Sequence, residues 1–155
     1  MKKIVALIVA ISMVAAGCSA PATSASGPAK DAATAKSLLQ AFVDAKLPVS
    51  KTIEYTAETD ENQLLGRPKQ YTQKVNWGDT RVDGSDESYS AGTIEVFAKP
   101  EDAKARREYV ESVTKDSPML QTYNYTNGVY HMRLSYGLTA DQAKEYEDIF
   151  NTMTK

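Results

Sequence analysis

The sequence predicts an α+β domain, a single antiparallel sheet of about four strands with helices on one face. Two observations predict it. Helical and alternating apolar periods follow one another in the order helix, strand, strand, helix, strand, strand, helix, and an Asn-Gly step marks a hairpin between the last two strands. The order reads as two ββα halves preceded by an N-terminal helix, all within residues 31–155.

Across residues 31–46, Ala35, Leu38, Leu39, Phe42, Val43 and Ala45 recur at helical spacing. Pro48 ends that helix at Leu47, because the residue before a proline is pushed out of the helical region. Ile53 and Tyr55 are apolar positions of a short strand in the mixed stretch that follows. Thr59 and Asp60 cap a single turn through Leu64 and Leu65, ended by Gly66 and Pro68. Residues 70–77 alternate, with Tyr71, Gln73, Val75 and Trp77 on one face and Thr72, Lys74 and Asn76 on the other. The polar run 79–90 predicts a loop, and residues 91–98 a second strand around Ile94, Val96 and Phe97.

Pro100 suits a first helical position, with Glu101 and Asp102 where the helix dipole favours acids. The helix is expected to reach about residue 115 and to bury Ala103, the stem of Arg106, Tyr109, Val110 and Val113. In segment 123–132, a turn at Asn127-Gly128 pairs Thr126 with Val129, Tyr125 with Tyr130 and Tyr123 with Met132. His131 then lies opposite Asn124, on the face away from the aromatic rings, as a solvent-facing or edge residue. Thr139 and Gln142 form a capping box with Leu138 as its hydrophobic staple. Ala143, Tyr146, Ile149, Phe150 and Met153 are the buried stripe of the last helix.

Ahead of this domain stands a leader. Lys2 and Lys3 precede an apolar run over residues 4–16, broken only by Ser12, and small residues lead into Cys18, the one cysteine. A helix over that run spans about 20 Å against roughly 30 Å of bilayer hydrocarbon, too short to cross and suited to a secretory signal. The lone cysteine after small residues resembles the lipobox of bacterial lipoproteins, although Ala15 stands where leucine is usual. That resemblance implies a signal peptide over residues 1–17, a diacylglyceryl group on Cys18, and a mature chain held at the extracytoplasmic face of the cell membrane. Residues 18–30 hold prolines, serines and alanines and no large apolar side chain, so they read as a flexible tether to the globular domain.

Removing Lys2 and Lys3 with the signal leaves sixteen basic side chains against twenty acidic ones, a formal charge of −4. A mildly acidic chain without a basic block offers no electrostatic footing for nucleic acid. One cysteine allows no intramolecular disulfide, so stability must come from packing.

One histidine and one cysteine remove most nucleophile–base pairs and most zinc sites. The acid-rich segment 79–87 resembles a calcium loop, but with Gly84 at its sixth position Arg81 and Ser90 fall where oxygen ligands belong. Glu54, Glu58, Asp60 and Glu61 form an acidic cluster without a rigid frame for acid–base work. No catalytic, cofactor-binding or metal-binding residue is therefore assigned. Tyr123, Tyr125, Tyr130 and Tyr136 crowd the C-terminal strands; core packing accounts for most such rings, and an exposed interaction surface is the alternative.

Leu64-Leu65-Gly66-Arg67-Pro68, Tyr71-Thr72, Val75-Asn76-Trp77, Ile94-Glu95-Val96-Phe97 and Glu101-Asp102-Ala103 are similar to segments of small lipoproteins from actinobacteria and related Gram-positives. The resemblance implies location and a small α+β domain, and it supplies no catalytic residues. The expectation is a non-enzymatic binding domain for an extracellular protein or envelope ligand. Inhibition of an external hydrolase, or a small carboxylate-dependent envelope hydrolase, are the rival readings. Room for one domain argues against the two-domain cleft of a transporter's solute receptor.

Overall fold

The structure, a computed structural model, describes residues 32–155. The expected signal segment 1–17 and the expected tether 18–30 with Cys18 lie outside the described residues. Nine principal elements follow in order: α1 (Ala35–Asp44), β1 (Val49–Glu54), β2 (Gln73–Asp79), α2 (Ser85–Ser88), β3 (Gly92–Val96), α3 (Pro100–Thr114), β4 (Thr122–Asn127), β5 (Tyr130–Ser135) and α4 (Ala140–Met153). A 3₁₀ turn, Pro118–Leu120, precedes β4.

The sheet is single and antiparallel, and it has five strands in the order β1-β2-β3-β5-β4. The additional strand is β1, where Ile53 was the apolar marker; its short pairing with β2 is interrupted by a register shift. Three of its six residues in succession, Ser50, Lys51 and Thr52, are exposed, as befits an edge strand. From β3 the chain crosses through α3 to the far edge at β4, then returns as β5 between them.

Alternation along the strands assigns each side chain to a face. Val75, Trp77, Ile94, Val96, Tyr130, Met132 and Leu134 point to one side and meet Leu38, Leu39 and Phe42 of α1 and Ala143, Tyr146 and Phe150 of α4. Cross-strand partners Lys74, Glu95 and His131 point to the other side. There Arg106 of α3 reaches Glu95, and Ala103 packs with Tyr71 and Phe97 in a small separate cluster. The helices thus lie on both faces, not on one. The physical reason is the strand pattern itself: two-sided strands with alternating charge leave a second face that also needs cover.

Helix starts follow side-chain chemistry. Thr34 opens α1: its hydroxyl accepts from the Ser37 N–H, and the Ser37 side chain closes a reciprocal box. Thr139 and Gln142 form the expected capping box of α4, with Leu138 buried beneath it. α3 begins at Pro100 as expected, but its buried residues are Ala103 and Val110, while Tyr109 and Val113 stay exposed. Met153 of α4 is exposed as well. The run 79–90 contains the four-residue α2, and the turn through Leu64 is not helical, although the Asp60 carboxylate does accept from the N–H groups of Leu64 and Leu65.

The hairpin register differs from the expected one. Asn127 pairs with Tyr130, Thr126 with His131 and Tyr125 with Met132, so the two-residue loop is Gly128-Val129. Gly128, at φ 55°, is the first central residue, where a type II′ turn needs positive φ. Because every partner slides by two residues, each side chain keeps its face.

Candidate functional site

The most structured chemistry in the molecule sits on the α3 side of the sheet. Glu95, in the central strand β3, is fully buried. Its two oxygens accept from Arg106 Nη2 at 3.0 Å and Nε at 3.1 Å, a bidentate pairing across to α3. His131 Nδ1 lies 3.3 Å from the same carboxylate, and Arg133 Nη2 only 3.5 Å away, at the limit of a hydrogen bond. Burial alone raises the Glu95 pKa; the His131 hydrogen bond, the Arg133 charge and the Arg106 pairing outweigh it and hold the carboxyl at about 2.

His131 is fully buried, which corrects the expected solvent-facing position. α3 covers that face and seals the ring away. On its far side Nε2 lies 3.2 Å from Asn124 Oδ1, and the Asn124 amide is oriented by donation to the Thr122 carbonyl at 2.9 Å. Acceptors on both sides of the ring favour a second proton. Burial opposes it and, with Arg133 and Arg106 nearby, leaves the ring below the ordinary histidine pKa despite Glu95.

A second ion pair adjoins the first. Lys74 and Asp60 are both buried and bond at 2.7 Å, while Asp60 also accepts from the Tyr71 hydroxyl at 2.7 Å. Lys74 Nζ lies 4.2 Å from the centre of the Tyr55 ring. Asp60 loses to burial but gains more from Lys74, Tyr71 and the two backbone N–H groups, and so stays well below the usual carboxylate range. An acid held ionised so firmly is ill suited to donate a proton. Glu54, Glu58 and Glu61 are exposed around it, so the acidic cluster of the sequence is split between one buried ion pair and solvent.

Two cavities open over this charged face. One, of about 580 Å³, lies between the sheet and the rim formed by Tyr55, Glu61 and Tyr89. The other, of about 810 Å³, lies between α3 and the 62–70 segment, and Tyr109 and Val113 form part of its wall. Asn62 and Arg133 line both. Tyr89 holds a left-handed backbone at φ 51°, costly for a bulky side chain, at the edge of the first cavity.

The four tyrosines singled out in the sequence do not form one surface. Tyr130 is buried against Phe150, with ring centroids 6.5 Å apart. Tyr123 is half-buried, donates to the Leu138 carbonyl at 3.2 Å and packs against Tyr136, which is 51% exposed. Tyr123, Tyr125 and Tyr136 meet at a groove of about 420 Å³ beside β4. On the apolar side of the sheet the calcium-like segment is occupied internally: buried Asp79 accepts from Arg81 and from the Tyr146 hydroxyl at 2.7 Å. Among the described residues no cluster of three or more His, Cys, Asp or Glu is placed to hold a metal ion.

Sequence reasoning missed Glu95, Arg133 and the burial of His131. Their signal was present as alternation: Lys74 and Asn76, Thr93 and Glu95, His131 and Arg133 occupy every second position of three strands that also carry the core. The chain matches no protein-family model, no curated protein and no solved structure.

Proposed function

We propose that this chain is a lipid-anchored, extracytoplasmic binding domain: Cys18 carries the lipid, residues 18–30 hold the domain off the membrane, and the charged face of the sheet receives a small polar ligand. No catalytic step is assigned to it. The observation that supports the binding reading is the incomplete cover over that face. Three cations, Lys74, Arg106 and Arg133, and two carboxylates, Asp60 and Glu95, are fixed on or against strands, yet the space above them opens as two cavities. Rigid placement of a few polar groups in a concave site is how small-ligand sites obtain orientation and specificity. His131 supports a positioning role over a nucleophilic one, since both ring nitrogens face fixed neighbours and the ring is sealed from solvent.

Two measurements test the reading. Intact-mass analysis of the native protein should find an acyl mass on Cys18, and Cys18→Ser should release the chain from the membrane fraction; an unmodified first residue would remove the anchor. Fractionated envelope extract, added to ¹⁵N-labelled protein, should shift the amides of β3 and β5 that border the cavities. Shifts confined to the β4 groove would instead favour a protein partner at Tyr123, Tyr125 and Tyr136.

A further inference from the structure

We infer that Arg133 is the anchor of an oxyanion subsite, so that the cavity bordered by Tyr55 and Tyr89 takes a small molecule bearing a carboxylate or phosphate group. The inference rests on the binding reading above and names its ligand chemistry. It begins from a mismatch in pairing. Glu95 offers two oxygens, and Arg106 takes both of them at 3.0 and 3.1 Å while His131 crowds one. Arg133 is left with the 3.5 Å contact from Nη2; its Nε is buried without a partner, and Nη1 has none among the described residues. Arg106 is needed to compensate the buried carboxylate. Arg133 is the surplus cation.

The Arg133 Nε is costly to shelter, because it has given up water without gaining an acceptor. Arg133 is also placed where a ligand can reach it: its side chain is 23% exposed, and it lines both cavities, standing between them. Burial and the repulsion of Arg106 draw its pKa down against the pull of Glu95, which marks the guanidinium as short of negative charge. An entering oxyanion supplies what is lacking, and a planar carboxylate or a phosphate edge can accept two parallel N–H bonds from such a fork.

The surroundings fit a small polar molecule. Asn76 lines the same cavity, and its buried Oδ1 has no partner while its Nδ2 donates to the Tyr55 hydroxyl at 3.4 Å. Thr93 and Ser135, beside Arg133, add hydroxyl groups. Glu61 and Glu87 also line this cavity; both are exposed, and they disfavour a ligand whose charge is negative throughout. They leave room for one oxyanion at the floor with neutral or cationic groups toward the rim.

The test uses the full mature chain, ¹⁵N-labelled, titrated separately with β-alanine, which joins one carboxylate to a cationic end, inorganic phosphate and glucose. Saturable shifts of the β5 amides and of the Arg133 side-chain signals are expected with at least one oxyanion, and β-alanine against phosphate separates the two sources of the charge. Arg133→Gln should weaken that binding at least about tenfold, the factor expected when a charge-assisted hydrogen bond is lost. Arg67→Gln, at an exposed position outside the cavity, should leave it unchanged. If Arg133→Gln does not fold, Arg133→Lys, which keeps the charge and loses the fork, and Ser90→Phe, which fills the rim from an exposed position, must each weaken it. Oxyanion binding indifferent to these changes overturns the assignment, as does glucose binding that persists in Arg133→Gln with no response to β-alanine or phosphate; in that second case the cavity is still a binding site. Silence toward all three probes also overturns the assignment, and the envelope-extract titration then decides separately whether the face binds anything.

Discussion

On one side of the sheet, the Phe42, Trp77 and Tyr146 rings lie 4.9 to 5.6 Å apart, and Phe150 meets Tyr130 edge to face. On the other side, Glu95, Arg106, His131 and Arg133 occupy the corresponding central positions, under a helix that covers only part of them. The same strands carry both sets, so composition does not explain the contrast; alternation does. The first face converts burial into stability, about 25 cal/mol for each Å² of apolar surface removed from water. The second removes charged groups from water and recovers that cost only where pairing is complete. It is complete at Lys74–Asp60 and at Arg106–Glu95, and incomplete at Arg133. That open, incompletely paired region is the observation that supports the proposed binding reading.

The contrast can be broken from the apolar side first. Trp77→Ala should be the most damaging change, about 3–5 kcal/mol by chemical denaturation, because the indole is fully buried and two aromatic neighbours would line the void. Gly92 makes room for that indole: a Cβ there would stand 2.1 Å from Trp77 Cζ2. Gly92→Ala should therefore also destabilise, by about 1–3 kcal/mol, as overpacking does in a filled core.

From the charged side, Glu95→Gln should cost about 3 kcal/mol, since it leaves Arg106 and Arg133 facing one another without their shared anion. The two arginines should then differ. Arg106→Gln strips Glu95 of its bidentate partner and should cost about 2–3 kcal/mol, whereas Arg133→Gln should stay within about 1 kcal/mol of the parent. Equal losses at the two positions would mean that Arg133 is simply a structural counter-ion.

Acid should find the charged face before the apolar one. His131 has a folded pKa below its ordinary 6.5, so beneath that pH the unfolded chain binds a proton that the native ring resists. Its contribution to stability is present above about pH 6.5 and is lost as pH falls toward the folded value. Glu95 is likewise depressed, to about 2, and its contribution is lost only between about pH 4.5 and 2. The two windows do not overlap above pH 4.5. Urea denaturation between pH 7 and 5 should therefore show a decline of at most about 1.4 kcal/mol per pH unit, the limit for one proton. Substituting His131→Gln should flatten it. A slope unchanged in that variant would assign the acid response elsewhere.

How much of this was legible in the sequence divides along the same line. The α1 and α4 stripes, the alternation of β2 and the capping box at Thr139 are local patterns, and they were readable because each is settled within a few residues. The edge strand β1 was faint because its exposed residues carry no apolar period. The second face was hidden for a different reason. Glu95, His131 and Arg133 look like ordinary outward-facing residues of half-buried strands, and only the crossover of α3 onto that side buries Glu95 and His131 and partly covers Arg133. For the same reason Tyr109 and Val113, which fit a buried stripe by spacing, were left facing a cavity and solvent.

The smallest expected effects concern how the covering helices begin. α1 and α4, on the apolar face, both open with a threonine box, whereas α3 opens at Lys99, which makes no side-chain cap. Thr139→Ala should cost about 1 kcal/mol, the usual loss when such a cap is removed. Lys99→Ser should gain about 0.5–1 kcal/mol, because Lys99 already has extended backbone, φ −140° and ψ 146°, from which a serine hydroxyl can reach the first-turn N–H groups. Serine is preferred to aspartate there, since Glu101 and Asp102 already place negative charge in that turn. Native-state hydrogen exchange distinguishes where the gain falls. If α3 opens independently of the rest, protection should rise for its amides and not for those of α1 and α4. If protection rises equally throughout, α3 unfolds only with the whole domain, and the cover over the charged face is as firm as the core beneath the other.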